Sequence, residues 1–463
     1  MATSKQEAAI KKLKSDQLQN RLRESLDDNN LDIEELHYVV NPEASEYQKQ
    51  GKKAKGIRKS YLRDIKTLGL QMKSLAPRGS EEYYKFISKA PFDEKNKANK
   101  WLTLGEKRKS RKGLNELISK KPKMANQILE RVGKWISGID YPEPKAEGDA
   151  ANNIDLKGVE IEWTTSDEDA PLFKTDASGK PVIKWSDINQ GKLGSCWMLS
   201  SLASIADNNP DNIKEMIIDN GNQTYGVRFF DDEKKPIWVT VDSSFPRQIG
   251  SDSRFLNAKI DEVLWPAVIE KAFMQASEMG RMTRPDDGLK AWKLQSRNSI
   301  KAAEGGFELF RHALGKDITV FASENLNSAM TYEHSKFSNP KYKRYNELIW
   351  ENEFQFYAEV DGIIKSVFND DLAAVYNFWD ETKYQHLDNN NTNPKKKSFI
   401  YSHSHTVLKR DNSDGSVLLF NPWGLSDFST PNTDHLSPFI SSSEDMTYIK
   451  EFAFVTVDMG EPF

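Results

Sequence analysis

Apolar residues recur at helical spacing through the first 146 residues and again directly after position 196. Residues 3–28 read as one helix. Glu46 to Leu75 reads as another, with Tyr61, Ile65, Leu68 and Met72 on one face, and a third runs from Pro122 to Ile136 and stops at Gly138. Later, Leu199, Leu202, Ile205 and Ala206 repeat the same period, with Gly194 and Ser195 supplying a turn and an N-cap in front of them. Asn209-Pro-Asp-Asn212 punctuates the start of a further helix, whereas Gly226 to Phe230 and Ile237 to Val241 read as strands. Tyr141 to Ala170, with Pro142, Pro144, Gly148 and a run of acids, reads as a linker. Residues 322–400 carry Asn389 to Pro394 and Lys395 to Lys397, and read as a long flexible excursion. Near the end, two apolar runs flank the turn-forming cluster Asp411 to Gly415, which predicts a hairpin that returns Asn421 to the end carrying His403 and His405.

Charge divides the chain more sharply than any linker. Lys plus Arg against Asp plus Glu is 7 against 10 over residues 1–50, 25 against 10 over 51–146 and 33 against 49 over 147–463; the balances −3, +15 and −16 sum to the net −4. The division is therefore a helical, basic N-terminal region at 1–146, a linker at 147–170 and an acidic remainder at 171–463, a length that allows about two to three domains. Clusters such as Lys52 to Lys55 and Lys107 to Lys112 fit three readings: a solvated helical surface, a binder of anionic groups, or a face that docks on the acidic half as a prodomain would. No zinc-finger, P-loop or dinucleotide motif accompanies them, so nucleic acid is not the expected partner. No stretch approaches the eighteen or so apolar residues of a membrane span, and the opening residues have no apolar signal core. A soluble, cytoplasmic protein is expected.

Chemistry concentrates at Cys196, the single cysteine of the chain. One thiol cannot close an internal disulfide, and at the head of a helix the unpaired amides and the dipole favour thiolate, the attacking species. Gln190 lies six residues upstream with two glycines between, spaced so that its side-chain amide can curl back beside the Cys196 backbone N–H; two such donors form an oxyanion hole. A cysteine nucleophile needs a base and the base an orienting group. The Ser402 to Gly424 segment supplies both types, with Asn421 as the orienting amide. His403 and His405 alternate onto the same strand face, and either is acceptable as the base.

These residues resemble the calpain family of papain-like cysteine proteases, particularly its short bacterial members. Asp187-Ile188-Asn-Gln190-Gly191-Lys-Leu193-Gly194-Ser-Cys196-Trp197-Met-Leu199 matches the family's cysteine block, and Asn421-Pro-Trp423-Gly424 matches its asparagine block. Trp238-Val-Thr-Val-Asp242-Ser-Ser-Phe-Pro246 and Leu264-Trp265-Pro-Ala-Val-Ile-Glu270-Lys271-Ala-Phe273 are similar to two further blocks. The resemblance runs from about residue 160 to the end, with a poorly matched stretch over about 310–400. It implies an α+β fold of two lobes: a cysteine lobe at 171–310, a connecting insertion at 311–400 and an antiparallel histidine and asparagine lobe at 401–463, with the active site at their junction and the insertion at the cleft edge.

The activity implied is endopeptidase hydrolysis of protein substrates by Cys196, His403 and Asn421, with Gln190 in the oxyanion hole and Trp423 covering the histidine and asparagine. The family's His-Ala-Tyr-Ser/Thr-Val pattern lies best on His403 to Val407 and so selects His403; His405 with Asn421 sixteen residues on fits the wider papain pattern. Calcium is the family's cofactor, and Asp187 and Asp427 occupy acidic positions, but Val263 stands where animal members carry a glutamate, with Glu262 one place away. A calcium site needs six to eight oxygens, so the expectation is activity without any required cofactor. Two other functions use the same residues: acyl transfer or removal of a conjugated protein, and a relic that only binds protein partners.

Overall fold

The computed structural model describes residues 2–40, 54–90, 131–141, 161–165, 170–190, 195–248, 263–282, 309–316, 319–322, 375–378, 403–410, 417–420, 422, 436–440 and 453–456. Among them, helices and antiparallel sheets are segregated, an α+β arrangement consistent with a calpain core. No helix among the described residues is long and apolar enough to cross a membrane.

The N-terminal stretch expected as one helix is two, α1 (Ser4–Ile10) and α2 (Asp16–Ser25). The interruption is built by side chains. Thr3 and Gln6 form a reciprocal capping box at the start of α1, and Ser15 caps α2 by accepting from the Leu18 N–H. The Asp64 carboxylate accepts from the backbone N–H groups of Lys14 at 2.9 Å and Ser15 at 2.6 Å, which takes both donors away from a continuous helix. Asp64 belongs to α4 (Ala54–Leu75), the described part of the long helix; Ile65, Leu68 and Met72 face the core as the period predicts, while the side chain of Tyr61 lies outside the described residues. With α3 (Ile33–Val40), α5 (Glu81–Lys89) and the helical segment 131–137, these elements enclose a hydrophobic cluster of their own.

That cluster includes Trp238, a residue of the next lobe. Strands β4 (Ile217–Asp219), β5 (Thr224–Phe230) and β6 (Pro236–Asp242) form an antiparallel sheet in which Gly226 pairs with Thr240 and Arg228 with Trp238. Period-two alternation sends the two faces to different cores. Tyr225, Val227, Phe229, Ile237, Val239 and Val241 join a cluster with α6 (Cys196–Asn208), α7 (Pro210–Met216) and α8 (Trp265–Glu278), while Trp238 packs with the N-terminal helices. Tyr83 of α5 shares a hydrogen bond of 2.7 Å with the Thr240 hydroxyl and accepts from Asn220 Nδ2 at 3.2 Å. Its ring lies over Gly226, where a Cβ would come within 2.6 Å of Tyr83 Cζ; only glycine admits this approach. The N-terminal region thus packs on the sheet face away from α6 and α8. Aromatic and small polar groups make the contact; the basic clusters Lys52 to Lys55 and Lys107 to Lys112 lie outside the described residues.

The stretch read as a linker contains a strand, a correction to that reading. β1 (Ile161–Thr165) pairs antiparallel with β7 (Ser244–Gln248), so its Ile-Glu-Trp-Thr-Thr sequence is spent on a sheet edge rather than on a tether, and the short strands β2 (Lys174–Thr175) and β3 (Pro181–Val182) pair with each other after it. The expected excursion over 322–400 likewise contributes a strand, β9 (Val375–Phe378), while β8 (Thr319–Ala322) begins just before it and pairs with β13 (Ala453–Thr456); the rest of that excursion lies outside the described residues. β9 pairs with β10 (His403–Arg410), β10 with β11 (Val417–Phe420) and β11 with β12 (Leu436–Ile440), which makes the four-stranded sheet of the histidine lobe.

Candidate active site

Helix α6 starts at Cys196, downstream of a short 3₁₀ turn at Trp185–Asp187, and its apolar positions Leu199, Leu202, Ile205 and Ala206 are all buried. Ser195 occupies the N-cap position, although its side chain makes no capping bond. The Cys196 backbone is therefore at the helix N-terminus, the placement that favours a thiolate. The side chains of Cys196 and Trp197 lie outside the described residues.

Against this helix runs β10, which opens at His403. Thr406 is buried, and its hydroxyl donates to the Ser200 carbonyl at 2.6 Å, one helical turn after Cys196. β10 and β11 form the hairpin the turn cluster predicts, with Thr406 opposite Phe420. On its other side His403 pairs with Phe378 and His405 with Tyr376. Both histidine backbones are thus in one strand beside the cysteine helix; their side chains lie outside the described residues, as do Asn421, Trp423 and Asp427.

Pro422 supplies a second tie. Its carbonyl accepts from the backbone N–H of Gln190 at 2.6 Å, so the loop before the cysteine is fastened to the turn that follows the asparagine strand. Gln190 is 5% exposed. The rings of Trp185 and Phe420 meet at 5.1 Å, and Phe420 belongs to the same hydrophobic cluster as Leu199 and Phe273. Cysteine loop, cysteine helix and histidine hairpin therefore converge at one junction.

Asp187, a calcium candidate from sequence, is otherwise employed. Its side chain is 2% exposed; Oδ2 accepts from the Trp265 indole N–H at 3.1 Å and from the Lys184 backbone N–H at 2.9 Å, and Oδ1 lies 3.8 Å from the Lys174 ammonium. Two N–H donors occupy Oδ2 and an ammonium faces Oδ1, so a calcium ion would have to displace Lys174 to use this carboxylate. Among the described residues no group of three or more His, Cys, Asp or Glu is arranged to hold a metal; Asp427 and Glu262 lie outside them.

In the sequence, Lys271 and Asp242 stand out only as letters of two family blocks. In the structure they form a buried joint. Lys271, with no exposed side-chain surface, donates to the Asp242 carboxylate and carbonyl and to the Ser244 carbonyl, and lies 4.8 Å from the Tyr141 ring centre and 5.3 Å from that of Trp163. Burial pulls its pKa down to about 8, against the opposing pull of Asp242. The Tyr141 hydroxyl donates to the other Asp242 oxygen at 2.8 Å. The hint in the sequence was a lysine inside an apolar helical run, which burial tolerates only when paired.

Comparison with known proteins reaches the cysteine side of this junction. Residues 156–285 match the family model described as calpain family cysteine protease. The calpain-type cysteine protease DEK1 of Zea mays is 33% identical over 94 residues, covering 20% of this chain and 4% of that protein, so the chain spans a small fraction of that relative's length. The matched segment begins just before β1 and runs through the cysteine helix, the three-stranded sheet and the Lys271 helix. Residues 156–285 of this chain carry a calpain-family cysteine protease domain.

Proposed function

We propose that the protein is a cysteine endopeptidase working through Cys196, His403 and Asn421. The observation that carries this reading is the double attachment of the cysteine segment to the histidine hairpin, Gln190 N–H to Pro422 and Thr406 to Ser200, at the junction where the family's chemistry requires nucleophile and base to meet. The imidazole takes the thiol proton, and the thiolate attacks the peptide carbonyl. The Gln190 amide and the Cys196 N–H hold the resulting oxyanion. The imidazolium then protonates the leaving amine as the C–N bond breaks, which leaves a thioester. Water, deprotonated by the imidazole, releases the acid and restores the thiol. Trp423 shields the histidine and asparagine pair. The nucleophile is the chain's one thiol and acts reduced, which suits the cytoplasm. The reading includes no required calcium, supported by the engagement of Asp187.

One observation favours His405 as the base. The register pairs Thr406 with Phe420, so His405 and Asn421 each lie one residue beyond a paired position, whereas His403 lies three beyond. Labelling of the full chain with an epoxysuccinyl probe decides this. Wild type is expected to label with calcium or chelator, Cys196→Ala not at all, and one histidine→Ala variant at a rate at least about a hundredfold lower. If His405→Ala is the variant that fails, the base is His405. If wild type does not label in either condition, the protease reading gives way to a protein-binding one; labelling without peptide hydrolysis favours acyl transfer or removal of a conjugated protein.

A further inference from the structure

We propose that Thr406 is a positioning residue whose hydroxyl, bonded to the Ser200 carbonyl, sets the approach of the histidine strand to the cysteine helix. The proposal rests on the protease reading above. Its ground is geometric. Thr406 adjoins His405 in β10 and lies three residues from His403, while Ser200 lies one turn from Cys196 in α6. The bond is fully buried and short, 2.6 Å, between elements 206 positions apart in the chain. Ser200 is inside the helix, away from the ends where carbonyls lack intrahelical partners, so the helix does not require this extra donor; the bond ties helix to strand. Valine has nearly the same shape, so burial alone gives no reason for a hydroxyl there.

Two ties flank the junction and act on different segments. The Gln190 to Pro422 bond is made between backbones and holds the loop before the cysteine. Thr406 contributes a buried side-chain hydrogen bond from the histidine hairpin to the cysteine helix. Misplacing catalytic partners by an ångström costs on the order of a hundredfold in rate, whereas helix, hairpin and Phe420 packing remain when this hydroxyl is removed. Thr406 therefore acts on the encounter of thiol and imidazole rather than on folding.

The test is the second-order rate of epoxysuccinyl labelling of Cys196 in the full chain, measured from pH 4 to 9, for wild type, Thr406→Val, Thr406→Ala and Thr406→Ser. Loss of the hydroxyl is expected to slow labelling at least about tenfold and to move the acidic limb of the profile to higher pH, because a displaced imidazolium stabilises the thiolate less. Thr406→Ser, which keeps the donor, is expected to stay within about threefold of wild type with its profile unmoved. Wild-type rates and profile in Thr406→Val overturn the proposal, as does a serine variant as slow as the valine one, which would make Thr406 a packing residue. Where the valine variant does not fold, the alanine and serine pair decides by the same criterion. A wild type that does not label overturns the protease reading and this proposal with it, an outcome distinct from a labelled wild type unaffected by Thr406→Val.

Discussion

The cysteine lobe is held from behind and from in front by unlike means. Behind it, the N-terminal helices share a hydrophobic cluster with Trp238 and seat the fully buried Tyr83 on Gly226 and Thr240. In front, the histidine hairpin is joined by directional hydrogen bonds, Gln190 to Pro422 and Thr406 to Ser200, and Phe420 is buried in the lobe's own cluster beside Trp185. The rear contact is built like a domain interior, where stability scales with the apolar area removed from water. The front contact adds directional bonds to a core contact, and those bonds fix how the hairpin sits against the cysteine helix. The rear face of the sheet also points away from α6, so a helical module seated there acts as a structural plate rather than as a plug of the cleft. For these helices that argues against the prodomain role that the opposed charges of the two halves suggested; the segment carrying Lys107 to Lys112 lies outside the described residues.

The largest effect expected from this difference comes from truncating the rear contact. Tyr83→Ala removes a buried ring and leaves the Thr240 hydroxyl and the Asn220 amide short of a partner. A loss of about 3–5 kcal/mol in denaturant unfolding is expected, the usual cost of truncating a large aromatic side chain in a core. Probe labelling of the molecules that remain folded should be unchanged. Faster labelling of Cys196 in this variant would restore the prodomain reading, since a plug becomes more active when loosened and a plate does not.

The joint between plate and lobe offers a pH-resolved measurement of somewhat smaller size. Lys271 is held near a pKa of about 8 by burial, against 10.5 for an ordinary lysine. Between these values the unfolded chain binds a proton that the folded chain does not, so stability attributable to this group rises as pH climbs from 8 to 10.5. At about 1.4 kcal/mol per unit the increment is about 3 kcal/mol. Lys271→Met is expected to be less stable at pH 7, because Asp242 loses its partner, and to lack this alkaline increment. The check is the difference between wild-type and variant unfolding free energies across that window; parallel curves would mean that the lysine stays charged throughout. A change of the Trp163 fluorescence over the same window would locate the titration at the joint, since the ammonium faces that ring.

Much of the site could be read from residues alone because it depends on local chemistry. A lone cysteine before an apolar helical run, an upstream glutamine and an asparagine after a turn need only short-range spacing to be noticed, and the structure places the backbones of the cysteine helix, the glutamine loop and the histidine strand at one junction. Less local features escaped. Strand β1 was hidden in the linker because five residues with acids before them carry little periodic signal, and it is its pairing with β7 that makes them a strand. The break between α1 and α2 depends on Asp64, some fifty residues away, which no pattern within residues 3–28 encodes. Thr406 was passed over between more conspicuous neighbours, since its significance lies in a carbonyl 206 positions earlier. Asp187 was noticed for its charge, but its role depends on Trp265 and Lys174, which only the fold brings to it.

Asp187 is also the place where the front of the lobe can be tested most gently. If its carboxylate serves as a strut, Asp187→Asn should change little. With the amide oxygen in the Oδ2 position, the variant keeps an acceptor for the Trp265 indole and the Lys184 N–H. It loses the charge beside Lys174, a pair at 3.8 Å whose lysine is 43% exposed and therefore worth at most about 1 kcal/mol. The expected result is a stability within about 1 kcal/mol of wild type and labelling rates that are the same with calcium and with chelator in both proteins. A calcium ligand would behave otherwise, because removing one carboxylate from a site of six to eight oxygens weakens binding sharply. A wild type accelerated by calcium, together with an asparagine variant that is not, would overturn the strut assignment and make the front seam metal-controlled. An equal response in both proteins would place any calcium elsewhere and leave Asp187 as the link between the cysteine loop and the start of α8.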